Sequence, residues 1–290
     1  MENFLRPIYQ ERASDINTLG ILTLEKINPN SPLTDDFDMI LLIIVKEAKQ
    51  AWFVKHYESA SETAALHIVR EDTLLEWIDT STYRRAVEWI INGKIVFDRN
   101  EYINNLKEEL RAFPTQKRNL RKAIEFGKLV KSYNEAKELF SSGNYKDANS
   151  KILYSLHYLA RLAVIEKGFY PEVTVWNQVK NIDLEIYKLY EEFIESREEI
   201  KKRIELMILA MDYVINNRAA VSAEHFLEIM RTRDEPWSYA ELKNVSEIEP
   251  YTLDLSAIIS YLEEKEFILS VLEETKGTGV FQRKYKISDF

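Results

Sequence analysis

Two carboxylates stand one residue apart in the stretch TDDFDMILLIIV, Thr34–Val45: Asp36 and Asp38, at the head of a run that is apolar from Met39 to Val45. Side chains alternate across a strand, so this spacing predicts that both acids leave the backbone on one side, roughly 6–7 Å apart. Two converging carboxylates can hold one or two magnesium ions, and magnesium in turn clamps the phosphates of a nucleotide. The competing reading is an exposed strand tip, where the acids merely meet water.

Such a site needs a scaffold, and the chain reads as three segments. In the first, residues 1–113, TLGILTLEK, DMILLIIV, AWFVKHYES and TAALHIV are short, rich in aliphatic or β-branched residues and bounded by polar turns, which predicts strands. EDTLLEWI and STYRRAVEWIING carry helical spacing, the second closed by Gly93 as a C-terminal cap. KIVFD is expected as one more strand, at the sheet edge. Residues 114–220 change to helix throughout: Pro114 stops the preceding pattern, and four helical stretches joined by short loops predict an antiparallel bundle. In residues 221–290, Ser222 is expected to cap a helix, two more helices follow, and two strand-like runs meet at Lys276-Gly277-Thr278-Gly279. Three helices and a hairpin in that order predict a winged helix. The fold class is therefore α+β: a mixed-sheet domain, a helical bundle and a C-terminal winged helix.

Strand, loop, an Asp-x-Asp strand and then a helical bundle resemble the nucleotidyltransferase superfamily of the polymerase-β type, in its minimal and aminoglycoside-modifying branches. The resemblance implies that Asp36 and Asp38 bind Mg2+, that a nucleoside triphosphate is the substrate, and that a third acid on a later strand activates the acceptor. TAALHIV offers Ala, Leu and His67 for that third position, leaving only Glu62 at its start. The resemblance also calls for a Gly-Ser pair about twelve residues before the first Asp, where the glycine lets backbone amides approach the triphosphate. Leu24 and Glu25 stand there instead, and Gly20 comes too early. Asp98, in KIVFDRN, matches an acid that is not catalytic in the aminoglycoside-type relatives. A retained fold with an eroded site is the expectation. With the C-terminal winged helix included, the order of segments is similar to that of the YgxA-like family over essentially the full length.

Other features compete for a role. Lys117, Arg118, Arg121, Lys122, Lys128 and Lys131 lie on the first bundle helix, with Glu125 as the one acid between Lys117 and Lys131. Residues 117, 121, 128 and 131 fall largely on one side, which reads either as a phosphate-binding wall, with Lys117 and Arg121 as nucleotide contacts, or as a solvated face. Tyr154, His157, Tyr158 and Arg161 can line a pocket or simply pack. Arg218 and His225 come near the Arg-x4-6-His spacing of HEPN ribonucleases, but Ala219 follows the arginine where that motif prefers a polar residue. Residues 221–290 hold eight basic and fourteen acidic side chains, and the expected recognition helix carries Asp254, Glu263, Glu264 and Glu266 against Lys265. Such a helix is ill suited to lie beside phosphates. DNA or partner contact would rest on the wing, through Lys276, Arg283, Lys284 and Lys286, and a protein partner or a homodimer is at least as well served.

Composition bounds the rest. Cysteine is absent, which removes disulfides, thiolate metal sites and a cysteine nucleophile together. The net charge of −9 opposes non-specific nucleic-acid binding by the molecule as a whole. ILLIIV is far short of the roughly 18 apolar residues that span a bilayer, and MENFLRPIYQER lacks the order of a signal peptide, so a cytoplasmic location without membrane contact is expected. Two functions from different classes emerge: a magnesium-dependent nucleotidyltransferase with an unknown acceptor, or a catalytically degenerate ligand sensor that acts through its winged helix.

Overall fold

The computed structural model describes residues 2–26, 28, 31–59, 62–277 and 279–288. The chain divides into two compact units, Met1–Pro114 and Thr115–Phe290. The first contains α1 (Glu2–Ser14), β1 (Thr18–Glu25), β2 (Met39–Val45), β3 (Trp52–Ser59), β4 (Glu62–Arg70), α2 (Glu71–Thr80), α3 (Arg85–Asn92), β5 (Lys94–Asp98) and α4 (Tyr102–Ala112). Its five strands lie in the order β3-β4-β2-β1-β5, with β2 and β4 parallel and the other pairs antiparallel. This is the predicted mixed sheet, with β5 at its edge. Every residue of β2 is buried, which is why that segment is apolar without alternation. On one face Leu5 of α1 packs with Ile21, Met39, Leu41 and Ile43. On the other, α2 and α3 cover the sheet, and His67 of β4 meets the Trp89 ring edge-on at 4.7 Å.

Two helices of this unit, α1 and α4, are additions to the predicted elements. The second has a specific start signal: Asp98 Oδ1 accepts from the Ile103 amide at 2.8 Å and Oδ2 from the Asn104 amide at 3.2 Å. Asp98 therefore satisfies the unpaired amides of the first turn of α4. Gly93 does end α3, but in extended conformation (φ −64, ψ 139) and not in the left-handed one. Its amide bonds the Trp89 carbonyl, and a Cβ would lie 2.5 Å from that oxygen, so close approach is what demands glycine.

The second unit contains α5 (Thr115–Ser141), α6 (Tyr145–Glu166), α7 (Val175–Ile182), α8 (Leu184–Glu195) and α9 (Ile200–Ser222). It continues with α10 (Glu224–Met230), β6 (Trp237–Ser238), α11 (Tyr239–Lys243), α12 (Leu255–Glu264), β7 (Ile268–Glu274) and β8 (Phe281–Ile287). Helical and C-terminal segments share one hydrophobic core that runs from Ala123 to Ile268. Phe126 of α5 meets Tyr261 of α12 edge-on at 5.7 Å, and both are fully buried. Gly127 makes the approach possible, since a Cβ there would stand 3.0 Å from Asp254 Cβ and 3.1 Å from Ile258 Cδ1. Ser222 is not the expected cap. It is the last residue of α9, its Oγ is buried, and Ala223 takes the N-cap position of α10. Ala219, Ser222 and Ala223 are small and fully buried, so α9 runs into α10 with no extended residue from which a side chain could cap. A side-chain cap does form further on, at Ser238, whose side chain and that of Glu241 close a reciprocal capping box on α11. β7 and β8 make the predicted hairpin, while Thr278 of its turn lies outside the described residues.

Candidate functional site

Sheet register gathers the candidate acids. Glu25 pairs with Met39 across β1 and β2, and Met39 pairs with Ala64 across β2 and β4. Glu25, Asp38, Glu62 and Thr63 therefore come to one end of the sheet, where β2 and β4 begin. Asp38 extends both ladders one step beyond its strand: its carbonyl accepts from the Lys26 amide at 2.8 Å, and its amide donates to the Thr63 carbonyl at 3.0 Å. Its carboxylate is engaged as well. Oδ2 accepts from the Thr63 amide at 2.8 Å and from Thr63 Oγ1 at 2.9 Å. These bonds, with the nearby charge of Lys26, hold the carboxyl below its usual range against a smaller opposing effect of burial.

Asp36 behaves differently from the prediction. β2 begins only at Met39, and Asp35 and Asp36 occupy left-handed backbone with φ of 48 and 69. The strand alternation that would have aligned Asp36 with Asp38 does not apply, because the chain is turning there. The Asp36 side chain is fully exposed, with Lys26 Nζ 4.0 Å away. Its neighbour Asp35 takes the firmer contact, accepting from Arg85 Nη1 at 2.6 Å. Glu62 opens β4, half-buried and opposite Ser59. Among the described residues no set of three or more His, Asp or Glu side chains is gathered closely enough to hold a metal ion. Of the two acids that the spacing paired, Asp38 is engaged by Thr63, while Asp36 stands exposed on left-handed backbone ahead of the strand. Leu24 is buried in β1 opposite Ile40, and Glu25 is exposed at its end.

The basic helix is also not a single exposed face. On α5, Arg121 and Lys122 are buried and Lys117 is half-buried. The Arg121 guanidinium lies over the Tyr170 ring at 5.2 Å. Burial pushes the Lys122 ammonium down, opposed in part by Glu166. Glu125, only 2% exposed, lies 3.7 Å from Arg161 and 3.9 Å from Lys128. Helical spacing records which residues share a side, and here part of that side faces inward. His157 packs: Nε2 accepts from Trp176 Nε1 at 3.1 Å, and Nδ1 donates to the Leu153 carbonyl at 3.0 Å. Arg218 pairs with Glu166 and Asp183, whereas His225 meets the Tyr251 hydroxyl, so each serves different partners.

Comparison with known proteins places this geometry. Residues 1–118 match the nucleotidyltransferase-like family, 119–218 the YgxA-like substrate binding domain, and 224–287 a helix-turn-helix domain. The uncharacterized protein YgxA of Bacillus subtilis (strain 168) is 45% identical over 285 residues, which is 98% of this chain and 97% of that one. The chain belongs to the YgxA-like family of nucleotidyltransferase-like proteins. A crystal structure of a nucleotidyltransferase-like protein from Exiguobacterium sibiricum 255-15, at 1.90 Å, superimposes with a TM-score of 0.83 at 38% identity, covering 99% of each chain.

In this YgxA-like chain the matched helix-turn-helix is α10, α11 and α12, followed by the β7–β8 wing, with β6 paired to β8. Of the expected contact residues, Arg283 pairs with Glu263 of α12, and Lys284 Nζ lies 2.6 Å from Glu273. Lys276 stands exposed in the turn. Ser256, Ser260 and Glu264 form the exposed side of α12, while Leu255, Ile258, Ile259, Tyr261 and Leu262 are buried. Sequence reasoning missed Thr63, the residue that holds Asp38. Its signal was available, since a hydroxyl residue at the head of a strand beside an acid is suited to cap that acid. No helix among the described residues is long and apolar enough to cross a membrane.

Proposed function

We propose that this chain is a ligand-binding, non-transferring member of the nucleotidyltransferase-like fold, whose helix-turn-helix segment reports to a partner. The observation that carries this reading is the pair of hydrogen bonds from Thr63 to Asp38 Oδ2, made while Asp36 turns away from the strand in left-handed backbone. One carboxylate is committed to joining β2 and β4, and the other projects into solvent. Glu25 adds negative charge where a triphosphate would have to approach. In the C-terminal segment the exposed side of α12, Ser256, Ser260 and Glu264, offers no cation to phosphates, and with Arg283 and Lys284 held in ion pairs this favours a protein partner over DNA.

A second reading has one observation in its favour: Asp36, Asp38 and Glu62 do come to the same end of the sheet. In that reading Asp36 and Asp38 hold Mg2+, and Glu62 accepts the acceptor's proton during nucleotide transfer from a nucleoside triphosphate. Calorimetric titration with each nucleoside triphosphate, with and without magnesium, separates the two. Affinity that is indifferent to magnesium supports the sensor. Magnesium-dependent binding that disappears in Asp36→Asn with Asp38→Asn supports the transferase and overturns the first reading.

A further inference from the structure

The helical and helix-turn-helix segments of the second unit meet around a cavity of about 250 Å³. One wall is a single face of α5, where Lys128, Lys131, Ser132 and Glu135 recur at helical spacing. The facing wall is α6, with Lys151, Tyr154 and Tyr158. Asp254, immediately before α12, closes the end.

Three ammonium groups here face two carboxylates, in a chain whose net charge is −9. Both carboxylates are already taken. Glu135 Oε2 lies 2.5 Å from Lys151 Nζ, and Asp254 Oδ1 lies 2.9 Å from Lys131 Nζ. Lys128 has a looser partner: Glu125 is 3.9 Å away and is shared with Arg161. Its ammonium hydrogens are therefore the most readily given to a ligand. Lys131, one turn along the same face, supplies a second ammonium. Two such groups suit the dianionic oxygens of a phosphate. The Tyr154 ring, 57% exposed at the rim, offers a flat apolar face to a second part of the same molecule.

We propose that this cavity binds a small phosphomonoester carrying a planar ring, with its phosphate on Lys128 and Lys131 and its ring on Tyr154. The same ligand loosens the tie between α5 and α12. Lys131 Nζ bonds both the Asp254 carboxylate and, at 3.4 Å, the Leu253 carbonyl, so it fastens the residues that lead into α12. A phosphate on Lys131 competes with Asp254. Ligand and tie are then coupled, because the ligand binds more tightly to the state in which the tie is broken. The site needs neither magnesium nor Asp36 and Asp38, so Lys128→Gln, set beside Asp36→Asn with Asp38→Asn, separates its failure from that of the function proposed above.

The test uses the full chain in EDTA, titrated calorimetrically with AMP and with inorganic phosphate. AMP is expected to bind about tenfold or more tightly than phosphate, the share contributed by stacking on Tyr154. Lys128→Gln should weaken AMP by about tenfold or more, as expected for a lost charge-assisted bond, while Lys128→Arg retains it. Tyr154→Ala should bring AMP down toward phosphate, and Asp36→Asn with Asp38→Asn should change nothing. AMP should also speed amide exchange across residues 253–258. No binding of either probe at millimolar concentration, or AMP affinity unchanged in a folded Lys128→Gln, overturns the site. Equal affinities for AMP and phosphate overturn the ring contact, and unchanged exchange at residues 253–258 overturns the coupling.

Discussion

His67 should make the stability of the first unit depend on pH in a way that one substitution abolishes. The ring sits on β4, 5% exposed, edge-on to Trp89 at 4.7 Å and roughly parallel to Trp52 at 5.7 Å. Trp52 Nε1 donates to its Nδ1 at 3.1 Å. Nδ1 must therefore keep its lone pair, and the neutral ring carries its proton on Nε2. Burial, then the charges of His56 and Arg85, push the pKa down from 6.5 to about 4. A lowered folded value means that the unfolded chain takes up a proton first as pH falls. Stability is thus complete above the unfolded value and is lost between 6.5 and about 4. A gap of about 2.5 in pKa, at roughly 1.36 kcal/mol each, amounts to about 3 kcal/mol, of which about 2 is lost between pH ~7 and ~4.5. His67→Asn keeps an acceptor for the Trp52 N–H and cannot titrate. The variant should be less stable at neutral pH because it loses ring packing, yet its loss on acidification should be about 2 kcal/mol smaller than that of wild type. Urea unfolding followed by tryptophan fluorescence at the two pH values measures the difference, and it cancels groups that titrate in both proteins. Equal losses in the two proteins, or an imidazole that titrates near 6.5 by NMR, would refute the argument.

Three further outcomes follow from the same geometry. Asp38→Ala and Thr63→Val should each destabilise the first unit by thermal denaturation, and the double variant should cost less than the sum of the two, since both remove one interaction. Leu24→Gly with Glu25→Ser should lower stability by about 2–5 kcal/mol instead of restoring triphosphate binding, because Leu24 is a packed strand residue; denaturant unfolding and nucleotide titration check the two halves. Gly127→Val should push Asp254 and Ile258 away from α5, and limited proteolysis should then cut between α11 and α12 faster than in wild type while the first unit keeps its unfolding midpoint.

The sheet was legible because each of its strands has a strong local signature. The uninterrupted apolar run 39–45 identifies a strand buried on both faces, and KIVFD a short edge. Helices α5, α6, α8 and α9 were legible as long helix-compatible stretches bounded by Pro114, Gly143, Gly168 and polar turns. α1 escaped because Pro7 lies within it and argues against a helix, and α4, although amphipathic, escaped because its start depends on Asp98, which caps it from the end of a strand. The site was less legible than the fold. Asp-x-Asp spacing says where two side chains go only if the backbone is extended, and the left-handed turn at Asp35 and Asp36 is not announced by any glycine. The partner of Asp38 lies 25 residues away on β4, and only the parallel register brings it close. The basic helix misled in a different way. Sequence spacing placed Arg121 and Lys128 together but could not show that Arg121 is sealed under Tyr170.

The central claim is that the sheet end no longer holds metal for nucleotide transfer, and manganese paramagnetic resonance addresses it without knowledge of an acceptor. Mn2+ is titrated into the full chain with ATP present, and the free-ion signal is compared with that of ATP alone and of Asp36→Asn with Asp38→Asn. The account predicts that wild type and variant deplete free Mn2+ equally, by no more than ATP does by itself. Depletion by one or two ions per wild-type chain beyond the ATP control, lost in the variant, would contradict it.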